Sequence, residues 1–298
     1  MRRNWSSKVA TLYARGGLVN SMKAAAIKSQ SRPPFSIGIV SSQKRIGLAR
    51  ALSKSGYCSR SQAGALIRAG RVVLKGRVVR DPEAAVRMQD GRVADRIEID
   101  GMPFGKALPI YLLMNKPRGI VTTASDEKGR KTVYDLLDPK LTWVSPVGRL
   151  DKASEGLLLL THDSEWASKM TDPSTHLDKK YHVQVDCIAN DDLLAKIVRR
   201  CADAGISSQR DFLAPDQEDL RAKAAHLLRQ GNKNSWLEIT LDEGKNRQIR
   251  RLLEALEVRV LRLVRVSIGS LELGDLKKGA TRQLTPEEKR LLDTALRD

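Results

Sequence analysis

The spacing of apolar and polar positions divides the chain into a short helix-and-hairpin region followed by a long alternation of strands and helices. In residues 44–80, Ala49 and Leu52 give a first helix its apolar stripe, and Gly56 is placed to end it. Ser59 stands as an N-cap for a second helix whose Ala63, Leu66 and Ile67 share one face. Val72-Val73-Leu74 and Val78-Val79, separated by a Lys75-Gly76 turn, read as a hairpin. Residues 96–100 form a further short strand, and a linker is expected near residues 102–109.

Beyond that linker the pattern changes. Residues 111–114, 119–123 and 156–160 read as strands, the last buried on both faces because Leu157 to Leu160 leave no polar side. Residues 180–185 alternate as a strand, and residues 191–201 are helical. The 222–229 stretch turns through Gly231-Asn232-Lys233-Asn234 into 236–241 as a hairpin. Residues 246–256 form an amphipathic helix. Its stripe is Ile249, Leu252, Leu253 and Leu256, with Arg247, Arg251 and Glu254 opposite and Arg250 at the edge. Strands at 258–266 and 268–273 follow, and Thr285-Pro286-Glu287-Glu288 is a capping box opening a last helix. The expected fold is α+β, with a helix-helix-hairpin unit ahead of a mixed, mainly antiparallel sheet with flanking helices.

Charge changes what this fold is expected to meet. The chain of 298 residues carries a net +18, yet residues 1–80 hold 17 Lys or Arg and no acid before Asp81. The remainder is nearly balanced, with 36 basic and 35 acidic residues. Charge concentrated in this way points to a polyanionic partner, most often RNA or DNA. Lys44, Arg45, Arg50, Arg60, Arg68 and Arg71 stud the helix-hairpin unit, which is too small for much chemistry but suited to gripping phosphates. Residues 1–40 read as a disordered basic extension, with an organellar import leader as the alternative. No apolar run approaches the roughly 20 residues of a membrane span. Cys58, Cys187 and Cys201 are widely spaced and form no CxxC pair, which fits a reducing compartment. The domains expected are therefore 1–40, 41–105 and 106–298.

Familiar catalytic signatures are missing: there is no GxSxG, no GxxxxGK[ST], no GxGxxG after a strand and no HExxH. His162, His176, His182 and His226 lack ligand spacing, so no metal is expected, and they read as solvated or loop residues. Three segments stand out. Residues 146–161 put Arg149, Asp151 and Lys152 in a Gly-bounded loop before the buried strand. Lys179-Lys180-Tyr181-His182-Val183 sets a tyrosine beside two lysines on a strand, and Glu243 to Arg251 leads cations into a helix. Read alone, Asp151 could equally be a turn residue, Tyr181 a sheet residue, and the third segment a phosphate-facing patch.

Two resemblances sharpen these readings. Arg45-Ile46-Gly47-Leu48-Ala49-Arg50-Ala51-Leu52, Gly56 to Arg60 and Ala69-Gly70-Arg71-Val72 resemble the S-four-like RNA-binding domain, whose members recognise structured RNA. From about Tyr111 to Leu284, the chain resembles bacterial ribosomal pseudouridine synthases of the RsuA type. The resemblance rests on the three segments above, on Met114-Asn115-Lys116-Pro117-Arg118-Gly119, and on Gly279-Ala280-Thr281-Arg282-Gln283-Leu284-Thr285. Departures are Ser154 where Thr is usual, His162 where Asn is usual, and Asp172 where His is usual.

That likeness implies a cofactor-free isomerase converting a uridine of ribosomal RNA to pseudouridine, a cytoplasmic and monomeric enzyme with no nucleotide cofactor. It implies Asp151 as the essential carboxylate, attacking the anomeric carbon or removing a ribose proton. Tyr181 would stack on the base and help remove the C5 proton, and Arg250 would pair with Asp151. Arg149 would hold the space or phosphate of an extruded nucleotide. Lys180, Lys245 and Arg247 join the expected RNA contacts. A non-catalytic RNA-binding ribosome-assembly factor would explain the basic first quarter equally, but not three separated segments matching one active site.

Overall fold

The computed structural model describes residues 44–89, 92–105, 108–124, 126–198 and 220–297. The expectations for residues 1–40, for Cys201 and for helix beyond residue 198 lie outside that range. The chain divides into two compact units, one running to Leu108 with Lys140–Trp143, the other Pro109–Pro139 with Val144–Asp298.

In the first unit, β1 (Lys44–Gly47) leads directly into α1 (Leu48–Lys54), and α2 (Arg60–Arg68) follows. Ser59 does cap α2. Its hydroxyl accepts from the Gln62 amide while the Gln62 side chain accepts from the Ser59 amide, a reciprocal box that satisfies two orphan donors. Strands β2 (Val72–Leu74) and β3 (Arg77–Val79) pair through a turn in which Lys75 and Gly76 both take positive φ, 53° and 79°. Two strands absent from the sequence reading, β4 (Ala85–Gln89) and β5 (Arg92–Val93), pair with β1 as β1-β4-β5. Strands β6 (Ile97–Ile99) and β7 (Met102–Pro103) complete a second sheet, β3-β2-β6-β7. Leu48, Leu52, Ile67, Val72 and Val86 are fully buried in one core that the helices and sheets share.

The second unit is built on a nine-stranded sheet. Its strands are β8 (Tyr111–Lys116), β9 (Ser145–Val147), β10 (Glu155–Thr161), β11 (Lys179–Val185), β12 (Ala224–Gln230), β13 (Ser235–Leu241), β14 (Val260–Ile268), β15 (Leu271–Glu272) and β16 (Thr281–Gln283). The order is β12-β13-β11-β14-β10-β8-β16, with β9 on β10 and β15 on β14. Every described pairing among these strands is antiparallel except β10 with β14. As the four leucines require, every residue of β10 is buried. Helices α3 (Ser164–Thr171) and α6 (Pro286–Ala295) bring Trp166, Met170 and Leu292 onto Leu113, Leu157 and Leu159. Helices α4 (Asp191–Val198) and α5 (Gln248–Ala255) complete the described α-helices, and Thr285 caps α6 with Glu288 as the sequence predicts.

Three readings need correction. Residues 119–123 are not a strand, despite Ile120-Val121-Thr122-Thr123. Their one ladder contact is an isolated bridge from Val121 to Thr132, and the segment serves as a loop. The strands expected at 258–266 and 268–273 are both present but with shifted bounds: β14 runs on to Ile268, and the turn lies at Gly269 (φ 54°) before the short β15. His162 is buried rather than solvated, and burial lowers its pKa below the ordinary 6.5.

Among the described residues, no helix is long and apolar enough to cross a membrane.

Candidate active site

Asp151 sits exposed in the loop between β9 and β10, and among the described residues its carboxylate has no hydrogen-bond or ion-pair partner. The backbone beneath it is held firmly. Lys116, at the end of β8, is fully buried, and its ammonium donates to the carbonyls of Pro117 (3.2 Å), Asp151 (3.0 Å) and Ser154 (2.9 Å). Those three acceptors match the three N–H bonds of a charged lysine. Burial pulls its pKa down to about 8, with Asp151 and Glu155 opposing the shift. From the 119–123 loop, the Thr122 hydroxyl donates to the Leu150 carbonyl at 2.7 Å. The loop thus leaves its side chain free while its main chain is pinned on both sides.

The downstream end of the loop is anchored by charge. Burial alone would raise the Glu155 pKa, but Arg262 (3.0 Å) and Lys278 (2.7 Å) hold it below the usual carboxylate value. Next to it, Gly156 has φ 101°, and a Cβ there would lie 2.2 Å from the Arg265 carbonyl. No other residue fits where β10 and β14 approach this closely.

A cavity of about 600 Å³ opens beside the loop, lined by Arg149, Asp151, Lys179, Tyr181, Lys245 and Arg265 among others. Tyr181 projects from β11 and is 8% exposed. One wall is the loop before α5. Gln248, 2% exposed, donates to the Glu243 carboxylate (2.8 Å) and the Arg221 carbonyl (3.0 Å) and accepts from the Lys245 amide (3.2 Å). Arg247, at that bend, takes φ 49°, a left-handed conformation unusual for a side chain of its size. Arg149 and Asp151 also line a neighbouring hollow of about 390 Å³ with Lys128 and Arg130.

Asp151, Tyr181, Arg149, Lys245 and Arg247 therefore meet at one cavity, although they come from three distant segments. Arg250 differs from its expected place. It forms no ion pair with Asp151, and instead its Nη2 donates to the Ala153 carbonyl at 3.1 Å, two residues along the same loop. Burial, followed by the Arg247 charge, lowers its pKa, and the Asp151 charge acts in the opposite direction. The reason is geometric: α5 begins only at Gln248, so Arg250 lies in its first turn and reaches the loop's backbone. Arg251 is half-buried, not turned to solvent as its helical position predicts.

Of the remaining cations, Lys180 is exposed and lies 3.7 Å from Glu238, and Lys245 lies 3.2 Å from Glu243. In the first unit Lys44 opens β1, while Arg45, Arg50, Arg60 and Arg68 are exposed. Arg71 is committed to Asp100, its Nε 2.7 Å from the carboxylate. Lys116, Thr122, Gln248 and Arg265 were given no role by the sequence.

Family comparisons fall on this architecture. A model described as RNA pseudouridylate synthase matches residues 110–255, and the S4 domain model matches residues 46–91. The "Ribosomal large subunit pseudouridine synthase B" of Bacillus subtilis is 37% identical over 246 residues, covering 82% of this chain and 94% of that protein. The chain belongs to the RNA pseudouridylate synthase family. An uncharacterized RNA pseudouridine synthase of Rickettsia felis is 34% identical to this synthase over 80% of the chain and 96% of the relative. A solved structure titled "Crystal structure of pseudouridylate synthase" superposes with a TM-score of 0.54 at 27% identity, covering 83% of this synthase and 99% of that chain. The synthase is thus an RNA-modifying isomerase carrying an S4 RNA-binding domain.

Proposed function

We propose that this synthase acts in the cytoplasm on a uridine of ribosomal RNA, of the large subunit, with Asp151 as the essential carboxylate. The observation that carries the reading is the unpartnered Asp151 side chain, on a loop fixed through its backbone, at the mouth of a nucleotide-sized cavity floored by Tyr181. The ribosomal substrate follows from the name of the Bacillus subtilis relative, and the S4 domain supplies the RNA grip.

In this reading the target uridine is extruded from its stack into the cavity. The C1′–N1 bond breaks with its electron pair moving to the base. The base turns, C5 bonds to C1′, the C5 proton departs to solvent, and N1 takes up a proton in its place. Asp151 either attacks C1′ or removes a ribose proton, and both need a carboxylate that no protein group already occupies. Tyr181 stacks on the base and assists loss of the C5 proton. Arg250 works by holding the Ala153 carbonyl and adding positive potential near Asp151. Arg149, Lys180, Lys245 and Arg247 receive phosphates flanking the extruded nucleotide, while Lys44, Arg45, Arg50, Arg60, Arg68 and Arg71 of the 41–105 domain bind the RNA at large. No step requires an external oxidant or energy source.

Asp151→Asn tests this directly. Size and shape are kept, so melting temperature and RNA affinity should stay near wild type. Tritium release from ribosomal RNA labelled at uridine C5 should fall on the order of 10³-fold or more. A folded, RNA-binding variant that released tritium at near wild-type rate would remove Asp151 from the mechanism.

A further inference from the structure

Arg265 is a buried cation that the steps above do not use. It lies on β14, 5% exposed, and its Nε donates to the Leu157 carbonyl at 2.8 Å. No carboxylate pairs with it among the described residues. Its Nη2 is buried without any hydrogen-bond partner. An uncompensated, partly unsatisfied guanidinium in the protein interior is costly, and natural proteins retain one where something else completes it.

The sheet register says what it faces. Arg265 stands directly opposite Tyr181 across the β11–β14 pair, so the two side chains share one face of the sheet, and both line the large cavity. Lys179, on that same face and lining the same cavity, has its pKa lowered by burial and by the Arg265 charge. Its ammonium is held by the Leu177 carbonyl at 2.8 Å, so Lys179 adds positive charge beside the unpaired Arg265 donor. The floor under Tyr181 is therefore strongly electropositive, while Asp151 is on the loop at the cavity's rim.

Resting on the isomerase reading, we propose that Arg265 stabilises the detached uracil as an anion. When C1′–N1 breaks, the electron pair left on N1 delocalises onto O2 and O4 of the ring. A ring lying against Tyr181 brings one of these oxygens towards the guanidinium that carries the unpaired Nη2. Arg265 transfers no proton; it offers a fixed donor and charge where negative charge develops. It also accounts for an empty donor in the free enzyme, since the acceptor arrives with the substrate. The base turns between cleavage and rejoining, and O2 and O4 flank N3 symmetrically. A single donor can therefore follow the ring through the turn.

The test uses full-length enzyme in excess over ribosomal RNA transcribed with C5-tritiated uridine or, separately, with 5-fluorouridine. Arg265→Met should leave RNA affinity within about threefold of wild type and slow single-turnover tritium release about 10²-fold. Fluorine at C5 makes the uracil anion more stable without help. The same substitution should then slow consumption of 5-fluorouridine, read in nuclease digests, by less than about tenfold. A purely structural defect would slow both substrates alike, so equal losses overturn the inference. So does a variant whose tritium release stays within about threefold of wild type. If Arg265→Met melts before assay, Arg265→Lys and Arg265→Gln replace it. The charged Lys variant should be at least about tenfold faster, and equality overturns the inference. A wild-type enzyme that releases no tritium overturns the isomerase reading and this inference with it. A competent wild type with an unimpaired variant overturns this inference alone.

Discussion

The two units use the same cationic side chains in opposite ways. In the first, Arg45, Arg50, Arg60 and Arg68 are exposed, and neither α1 nor α2 has an acid in its first turn. In the second, Lys116 and Arg265 are almost wholly buried, and the Lys116 ammonium and the Arg265 Nε–H meet backbone carbonyls. Exposed cations act over a Debye length, do not discriminate between phosphates, and weaken as salt rises. Buried cations act over one bond, fix one geometry, and are barely screened. The first unit should therefore control how much RNA is bound, and the second how fast bound RNA reacts.

The sharpest way to break that division is at Lys116. Lys116→Met keeps a long apolar stem but abandons three carbonyls that define the Asp151 loop. Turnover should fall on the order of 10²-fold through misplacement of Asp151, with RNA affinity at saturating enzyme little changed. Acidity sharpens the same point. The Lys116 pKa lies near 8 against an ordinary 10.5, so the ammonium is complete below about pH 8 and loses a proton as pH rises through it. Neutral lysine has two N–H bonds for three acceptors. Activity should decline above pH 8 in the wild type, and the Met variant should lack that component. Stability runs the other way. Between about pH 8 and 10.5 the unfolded chain keeps a proton that the folded protein has shed, so this residue's penalty is relieved as pH rises. A rate profile flat to pH 10 would show that the third bond does not matter.

A smaller but opposite effect is expected from the first unit. Replacing Arg45, Arg50, Arg60 and Arg68 together by Ala should weaken RNA binding roughly 10- to 100-fold at physiological salt. The slope of log affinity against log salt should become shallower by up to about 0.9 for each phosphate that is no longer neutralised. Single-turnover rate at saturating enzyme should not change. A quadruple variant that bound normally but reacted slowly would reverse the assignment of the two units.

What the sequence made legible follows the same divide. Exposed cations and apolar periodicity are local properties, so the helix-hairpin unit, the buried β10 leucines and the Thr285 cap were all readable. The chain positions of Asp151, Tyr181 and Arg149 were legible through family resemblance, and one cavity does collect them. The buried cations were not legible. Lys116 closes a strand and Arg265 alternates along one, patterns that solvent-facing residues would produce equally. Only tertiary pairing reveals that β8 ends under the Asp151 loop and that Arg265 stands across from Tyr181. Residues 119–123 misled for a related reason. Their β-branched side chains suit a strand, but Thr122 is spent on Leu150 and the loop's shape follows from that bond. The Arg250–Asp151 pair failed on a smaller scale, since a residue or two in the start of α5 decides which atoms an arginine can reach.

The mildest probe lies at Ser59. Its hydroxyl accepts from the Gln62 amide at 3.2 Å and anchors the start of α2, which carries Arg60 and Arg68. Ser59→Ala removes that acceptor and leaves the cations in place, at a cost of about 1 kcal/mol. Such a loss frays the first turn, where Arg60 sits, before it disturbs Arg68 in the last. RNA affinity should therefore fall only slightly, by about fivefold at most if the entire capping energy passed into binding. The melting transition should move down by a few degrees, and the rate of bound RNA should stay at wild type. Melting and single-turnover assays on one preparation separate these outcomes. A change in bound-state rate from this cap would mean that α2 helps set the chemistry, and the division between gripping and reacting would no longer hold.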